Sequence, residues 1–178
     1  MKLEIGCGER PTPGYLHQDI VERIGVKLDY CCNPWEITIK EKFEQIIALG
    51  VIEHLRFKEV EKTIEHCYTM LKPGGWFLFD VPDMKMWAEY LYKITHGITK
   101  GVPFENSHVW STIYGWQRYP GDEHKSGWTY ETITKLITSL GFYYEEGVEH
   151  FKKLGFKRNR FNRPKDAHIY IKAIKPEK

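Results

Sequence analysis

Two groups of residues have the types and spacing to do chemistry. The first is Leu3-Glu4-Ile5-Gly6-Cys7-Gly8, an apolar strand that runs straight into Gly-x-Gly. Glycine has no Cβ and tolerates positive φ, so a strand ending this way can turn sharply and bring its backbone close to a ligand. Gly6, Cys7 and Gly8 are therefore expected to floor a site for a nucleoside cofactor. The second group is histidine: His54 follows an apolar run, while His108 and His124 lie in a stretch mixing Gly, Pro and aromatics. Imidazole is the side chain best poised to take a proton near neutral pH. His124, within Asp122-Glu123-His124-Lys125-Ser126-Gly127-Trp128, is the expected base, with His54 the second candidate.

The elements that must hold these residues follow from the patterning. No third glycine stands at the dinucleotide spacing, and the two prolines of Glu9-Arg10-Pro11-Thr12-Pro13-Gly14 oppose a helix, so pyrophosphate at a helix N-terminus is not expected. Asp19 ends a strand over residues 15–20, only 11 residues beyond Gly8 (19 − 8), too few for a helix between the strands. In open α/β sheets ligands bind beyond the carboxyl ends of strands, where an acid can accept both ribose hydroxyls. Asp19 is the expected ribose anchor; a turn or capping aspartate is the plainer reading. Residues 26–31 read as a third strand, ended by Asn33-Pro34, and residues 43–49 as a buried one.

Val60, Ile64, Cys67, Tyr68 and Leu71 fall on one face of a helix over residues 57–71, which Lys72-Pro73-Gly74-Gly75 stops before a strand at 76–83. Residues 84–94 suit another helix. Residues 95–125 show no sustained period, and such a long irregular insertion is usually functional, so it is expected to form a lid or substrate wall. Trp110, Trp116 and Trp128 could line a pocket or simply pack a core. A helix opening near Thr129, with Thr129 and Thr132 as possible caps, ends at Gly141, and a strand at 168–174 closes the pattern.

Composition bounds the class. The 178 residues fit one domain, with 42% hydrophobic and 28% charged residues as in soluble proteins and no apolar run near the roughly 20 residues that span a bilayer. No secretory signal pattern follows Met1, which predicts a cytoplasmic protein. Cys7, Cys31, Cys32 and Cys67 lack metal-site spacing and read as reduced thiols. Net charge is +2, yet residues 152–165 hold seven basic residues and, before Asp166, no acid; a solvated loop is the commoner meaning of such a run, an anionic ligand the sharper one.

Taken with the order of the elements, Glu4 two positions before Gly6-Cys7-Gly8, the Glu53-His54-Leu55 that follows the fourth strand, and Leu71-Lys72-Pro73-Gly74-Gly75 resemble the class I S-adenosylmethionine-dependent methyltransferases, most closely their type 11 group. The resemblance implies a Rossmann-like α/β fold: a seven-stranded, mostly parallel sheet with the last strand antiparallel in a hairpin and helices on both faces. It implies S-adenosylmethionine as cofactor, with Glu4 facing its methionine amino group. Asp19 and Ile20 would flank the ribose and adenine, and Leu49, Gly50 and Val51 would complete the wall. Relatives often carry an aspartate for the adenine amino group where Asn33 stands; an amide oxygen can accept the same bond, while a turn role is equally open. Some relatives bind a divalent ion through Glu-x-x-Glu-His and a distant histidine. Glu53, His54 and His124 match part of that set, but Gly50 replaces its first glutamate, so no metal is assigned. The expected activity is methyl transfer to a small hydroxylated acceptor such as a sugar. The alternatives are a non-catalytic cofactor-binding partner subunit, or a nucleic-acid methyltransferase using residues 152–165.

Overall fold

The computed structural model describes residues 1–102, 105–154 and 167–178. Among them are the strands β1 (Lys2–Ile5), β2 (Leu16–Asp19), β3 (Tyr30–Cys31), β4 (Phe43–Ala48), β5 (Leu71–Pro82), β6 (Tyr143–Glu146) and β7 (His168–Ile174). The helices are α1 (Phe57–Met70), α2 (Met84–Thr95), α3 (Asn106–Tyr114), α4 (Tyr130–Ser139) and α5 (Val148–Lys153). All seven strands join one sheet in the order β3-β2-β1-β4-β5-β7-β6. β1 to β5 pair in parallel, and β7 runs antiparallel to both its neighbours. The expected Rossmann-like sheet is the observed one.

The central strands are apolar on both faces because both faces are covered. Leu3, Ile5, Ile46, Ile47, Phe77 and Leu78 are fully buried, the continuous pattern of a parallel sheet flanked by helices. Val60, Ile64 and Cys67 of α1 enter the same core as Ile133 and Ile137 of α4. The carboxyl ends of β1, β2, β4 and β5 thereby open on one edge of the sheet, where Gly6, Asp19, Leu49 and Asp83 begin the loops that matter.

Several elements differ from the sequence reading. The third strand shrinks from residues 26–31 to Tyr30–Cys31 because the Asp29 side chain accepts the His17 N–H at 2.8 Å, replacing a ladder bond. Helix α1 stops at Met70, and Leu71 to Gly75 already belong to β5, whose register against β4 shifts between Phe43 and Gln45. The pairing of β6 with β7 is not a tight hairpin, since α5 lies between them. Residues 95–125 are not wholly irregular: α3 packs on α2 through Val109 against Trp87 and Tyr90. Trp128 belongs to the main core, 8% exposed, with its Nε1 donating to Ser126 Oγ, so the three tryptophans form no common pocket. Residues 155–165 of the basic run lie outside the described residues.

The capping expectation at α4 holds. Thr129 Oγ1 accepts from Thr132 N at 3.3 Å, and Thr132 Oγ1 accepts from Thr129 N at 2.9 Å. Thr129→Ala removes one half of this pair and should lower stability by about 1 kcal/mol in chemical unfolding. Among the described residues no helix is long and apolar enough to cross a membrane.

Candidate functional site

The Gly-x-Gly turn hangs on β2. Gly6 and Gly8 both take positive φ, 64° and 60°. Gly6 N donates to Gln18 Oε1 at 3.1 Å, and Gly8 N to Asp19 Oδ2 at 2.9 Å. Asp19 Oδ1 accepts from Ile20 N at 2.8 Å and Val21 N at 3.2 Å, so the carboxylate is fixed in direction at the end of its strand. Two oxygens offer about four acceptor sites, and these three bonds leave capacity for a hydroxyl. A Cβ built on Gly8 meets nothing within 4 Å, whereas one on Gly6 would stand 2.5 Å from Val51 Cγ2. The turn is thus tight against the β4 loop on one side and open on the other.

Glu4, 2% exposed, lies beneath this turn. Its carboxylate accepts from Thr12 N at 2.6 Å and Thr12 Oγ1 at 2.7 Å, bracing the helix-free loop between β1 and β2. The Cys7 thiol is pushed up to about 11, first by burial and then by the charges of Asp19 and Glu4, so it stays protonated and inert. On the β4 side, Leu49-Gly50-Val51 is held by Asp80, whose Oδ1 accepts Gly50 N at 2.8 Å. Toward β3, Asn33 Nδ2 donates to Glu36 Oε2 at 3.0 Å, which turns the amide so that its oxygen is the remaining acceptor. Ile20 is 60% exposed beside Asp19. All ten expected cofactor residues therefore border one edge of the sheet or the loops that leave it.

Gln18 and Asp80 were missed by the sequence. Gln18 also donates to Cys32 O at 2.5 Å, tying the glycine turn to the loop after β3. Alternation marks both only as polar positions in strands; nothing in the pattern says that their side chains replace ladder partners.

The two histidines named as bases meet. A 3-10 turn, Ile52–His54, follows β4, and the end of the insertion is sewn to it: Lys125 N and Ser126 N donate to Glu53 O at 2.8 and 3.2 Å. His54 Nδ1 lies 3.1 Å from Glu123 O, and the His54 and His124 rings stand edge to face with centroids 4.8 Å apart. Burial and the neighbouring His54 push His124 down to about 4, so its ring is neutral through the physiological range. Asp122 is held well below the carboxylate range, at about 2, chiefly by Arg118, whose Nε is 2.9 Å away. His108 lies elsewhere, its ring 5.5 Å from Trp116 and 5.8 Å from Trp87. Glu53, His54 and His124 bring one ligand atom each within 4.8 Å of one another, a nitrogen and oxygen set that could hold a divalent cation.

Gly115 makes this arrangement possible. Its φ is 80°, and a Cβ there would fall 2.2 Å from Asp122 O. Gly115→Ala should cost roughly 1 to 3 kcal/mol in thermal or chemical unfolding, through strained φ and a backbone clash. The same change should shift the His54 and His124 ring resonances, because it moves the segment that carries His124.

Comparison with known proteins bears on the family and the fold. A family model described as "Methyltransferase domain" matches residues 2–146. No protein of curated function matches. Among solved structures, a SAM-dependent methyltransferase from Methanosarcina mazei is similar at 16% identity with a TM-score of 0.60, over 99% of this chain and 92% of that one. The 1,6-didemethyltoxoflavin-N1-methyltransferase of Burkholderia thailandensis, solved with its substrate and S-adenosylhomocysteine, is similar at 16% identity and a TM-score of 0.59, over 98% and 70%. The N-methyltransferase NodS from Bradyrhizobium japonicum, in complex with S-adenosylhomocysteine, is similar at 15% identity and a TM-score of 0.54, over 99% and 78%. The chain belongs to the methyltransferase-domain family, and its fold is that of the S-adenosylmethionine-dependent methyltransferases.

Proposed function

We propose that this protein transfers the methyl group of S-adenosylmethionine to a hydroxyl of a small molecule such as a sugar. The observation that carries this reading is the pairing of His54 with a neutral His124 at the carboxyl end of β4, next to the glycine-turn cradle. When bound, S-adenosylmethionine supplies a methyl on a sulfonium, ready for in-line displacement. The protein then has chiefly to orient and to accept a proton.

Asp19 receives a ribose hydroxyl, Asn33 Oδ1 and Ile20 flank the base, and Gly6, Cys7, Gly8 and the Leu49-Gly50-Val51 loop enclose the rest. Glu4 steadies the loop beside the amino group. His124, kept neutral by burial, accepts the hydrogen bond of the acceptor hydroxyl, and His54 beside it shares the proton taken up. Residues 95–125 act as lid and acceptor wall. Trp110 and Tyr114 on α3 support this: both are exposed, with rings 6.0 Å apart and 12° from parallel, a face on which a sugar or flat ring can stack.

The pH dependence has a definite sign. His124 is neutral in the fold down to about 4, against about 6.5 when unfolded. The unfolded chain therefore binds the extra proton first, and stability should fall as pH drops from about 6.5 to about 4. Activity limited by His124 should decline only as pH approaches about 4. In His124→Gln, denaturant midpoints should lose that part of their pH dependence.

The test is a screen of sugars and other small hydroxylated acceptors with methyl-labelled cofactor, repeated with a chelator and with His124→Ala. Transfer that survives chelation and falls at least about 100-fold in the variant supports a metal-free base, since general bases contribute roughly 10²–10⁴-fold. Loss on chelation assigns the Glu53, His54 and His124 cluster to a metal. Label appearing only on RNA would favour the nucleic-acid reading through residues 152–165, and cofactor binding with no transfer at all would favour a non-catalytic partner subunit.

A further inference from the structure

We infer that His168 accepts a hydrogen bond from a second hydroxyl of the acceptor, beside the one that is methylated, so that the site selects molecules carrying two neighbouring hydroxyls. The inference rests on the reading of this edge as the place of methyl transfer to a hydroxylated small molecule. His168 opens β7 and stands opposite Pro82, at the end of β5. Asp80 shares a face of β5 with Pro82, and one of its oxygens turns to the ring: His168 Nδ1 lies 3.3 Å from Asp80 Oδ2. The other oxygen holds Gly50 N at 2.8 Å, so the carboxylate has a fixed direction. Nδ1 is buried, and although its line to Asp80 is too bent for a full hydrogen bond, the carboxylate decides which nitrogen carries the hydrogen. A lone pair on Nδ1 would face the lone pairs of Oδ2. In the neutral ring the hydrogen therefore sits on Nδ1, and Nε2 is left as an acceptor.

Nε2 is the part of the ring that a ligand can reach. Nδ1 is shut away from water, yet the side chain keeps 16% exposure, on the side that carries Nε2. Among the described residues no group bonds Nε2. Tyr170 braces the ring, with centroids 6.1 Å apart and planes 29° from parallel. Backbone bonds bring this nitrogen to the acceptor's side of the sheet. Asp83 N donates to Ala167 O at 2.7 Å and Met84 N to Trp128 O at 2.9 Å, which joins the start of β7, the end of β5 and residues 125–128. The other end of that stretch is held on Glu53 O by Lys125 N and Ser126 N, next to His54 and His124. His124 and His168 thus stand at the ends of β4 and β5, on the edge where ligands of such sheets bind, and His168 is near enough to oppose protonation of His124. Two imidazoles at one mouth match two hydroxyls: His124 faces the hydroxyl that is methylated, and His168 takes the hydrogen of its neighbour. A sugar carries such pairs.

The experiment pairs a spectrum with an assay. Long-range nitrogen–proton correlation on labelled protein should show His168 with its hydrogen on Nδ1, and Asp80→Asn should move that hydrogen to Nε2, because an amide N–H facing Nδ1 needs a lone pair there. The assay uses methyl-labelled S-adenosylmethionine with a panel of methyl hexosides and their monodeoxy analogues. For the hexoside that is methylated, the wild type should show kcat/KM roughly 3- to 10-fold above that for the analogue lacking the neighbouring hydroxyl, the scale of one neutral hydrogen bond. His168→Ala and Asp80→Asn should bring the two acceptors within about 2-fold of each other, and His168→Gln, which keeps an acceptor oxygen, should retain part of the preference. Affinity for S-adenosylhomocysteine should stay within about 3-fold in Asp80→Asn, since the amide keeps an oxygen for Gly50 N. The hydrogen found on Nε2 in the wild type, a wild type without preference, an undiminished preference in His168→Ala, or an equal fall for both acceptors overturns the inference. No label on any hexoside with the wild type overturns the hydroxylated-sugar reading it rests on, and this inference with it.

Discussion

Gly6→Ala should leave the protein unable to bind S-adenosylhomocysteine at micromolar concentrations and lower its stability by roughly 2 to 5 kcal/mol. Two penalties add. A residue with a Cβ at φ 64° costs roughly 1 to 2 kcal/mol. The new methyl would also sit 2.5 Å from Val51 Cγ2, and a β-branched side chain has no easy rotamer to retreat to, an overpacking cost of roughly 1 to 3 kcal/mol. Relief requires the β4 loop to move off the turn, which displaces Gly50 from Asp80 as well. Gly8→Ala is the informative contrast. It meets no protein atom within 4 Å, so only the φ strain remains, yet its methyl enters the space assigned to the ligand. Calorimetry and denaturant unfolding should therefore show Gly8→Ala losing binding out of proportion to its small loss of stability. Normal binding by Gly8→Ala would place the ligand elsewhere.

Asp19→Ala should weaken binding of S-adenosylhomocysteine by roughly 1 to 3 kcal/mol, the cost of a lost buried hydrogen-bonding partner. The carboxylate also accepts the Gly8, Ile20 and Val21 N–H groups, so part of the loss would come from a loosened turn. Asp19→Asn separates the two effects, because an amide keeps one acceptor oxygen for the backbone. If Asp19→Asn melts near the wild type but still binds several-fold more weakly, the side chain meets the ligand directly. Unchanged affinity in both variants would remove Asp19 from the site.

The sheet was legible because its apolar runs are long and its punctuation is strong. Ile46 to Leu49 is a continuous buried run, and Val60, Ile64 and Cys67 keep a helical period, so little else could be built from them. Residues 26–31 misled because apolar alternation says nothing of Asp29, whose side chain takes the bond a longer ladder would have used. Helix α3 was invisible for a different reason. Only Val109 and Thr112 are buried on it, while Trp110 and Tyr114 face outward, so the apolar stripe that announces a helix is nearly absent.

The glycine-turn edge was largely readable from Gly6, Gly8 and Asp19, since glycines after a strand and an acid at the end of the next one have direct backbone meaning. The supports of that edge were not. Gln18 and Asp80 act through tertiary hydrogen bonds, to Gly6 and Gly50, which no local spacing encodes. The meeting of His54 with His124 was guessed from chemistry rather than pattern, because 70 residues of chain (124 − 54) separate them.

The proposed place of S-adenosylmethionine is the open side of the Gly6-Cys7-Gly8 turn and the end of β2. It is tested most directly by ultraviolet cross-linking of methyl-labelled S-adenosylmethionine to the purified protein, followed by peptide mapping. Saturable label, displaced by S-adenosylhomocysteine and confined to peptides within residues 1–36 and 49–55, is the predicted result. Label that S-adenosylhomocysteine does not displace, or that maps only to peptides outside those two stretches, would contradict it.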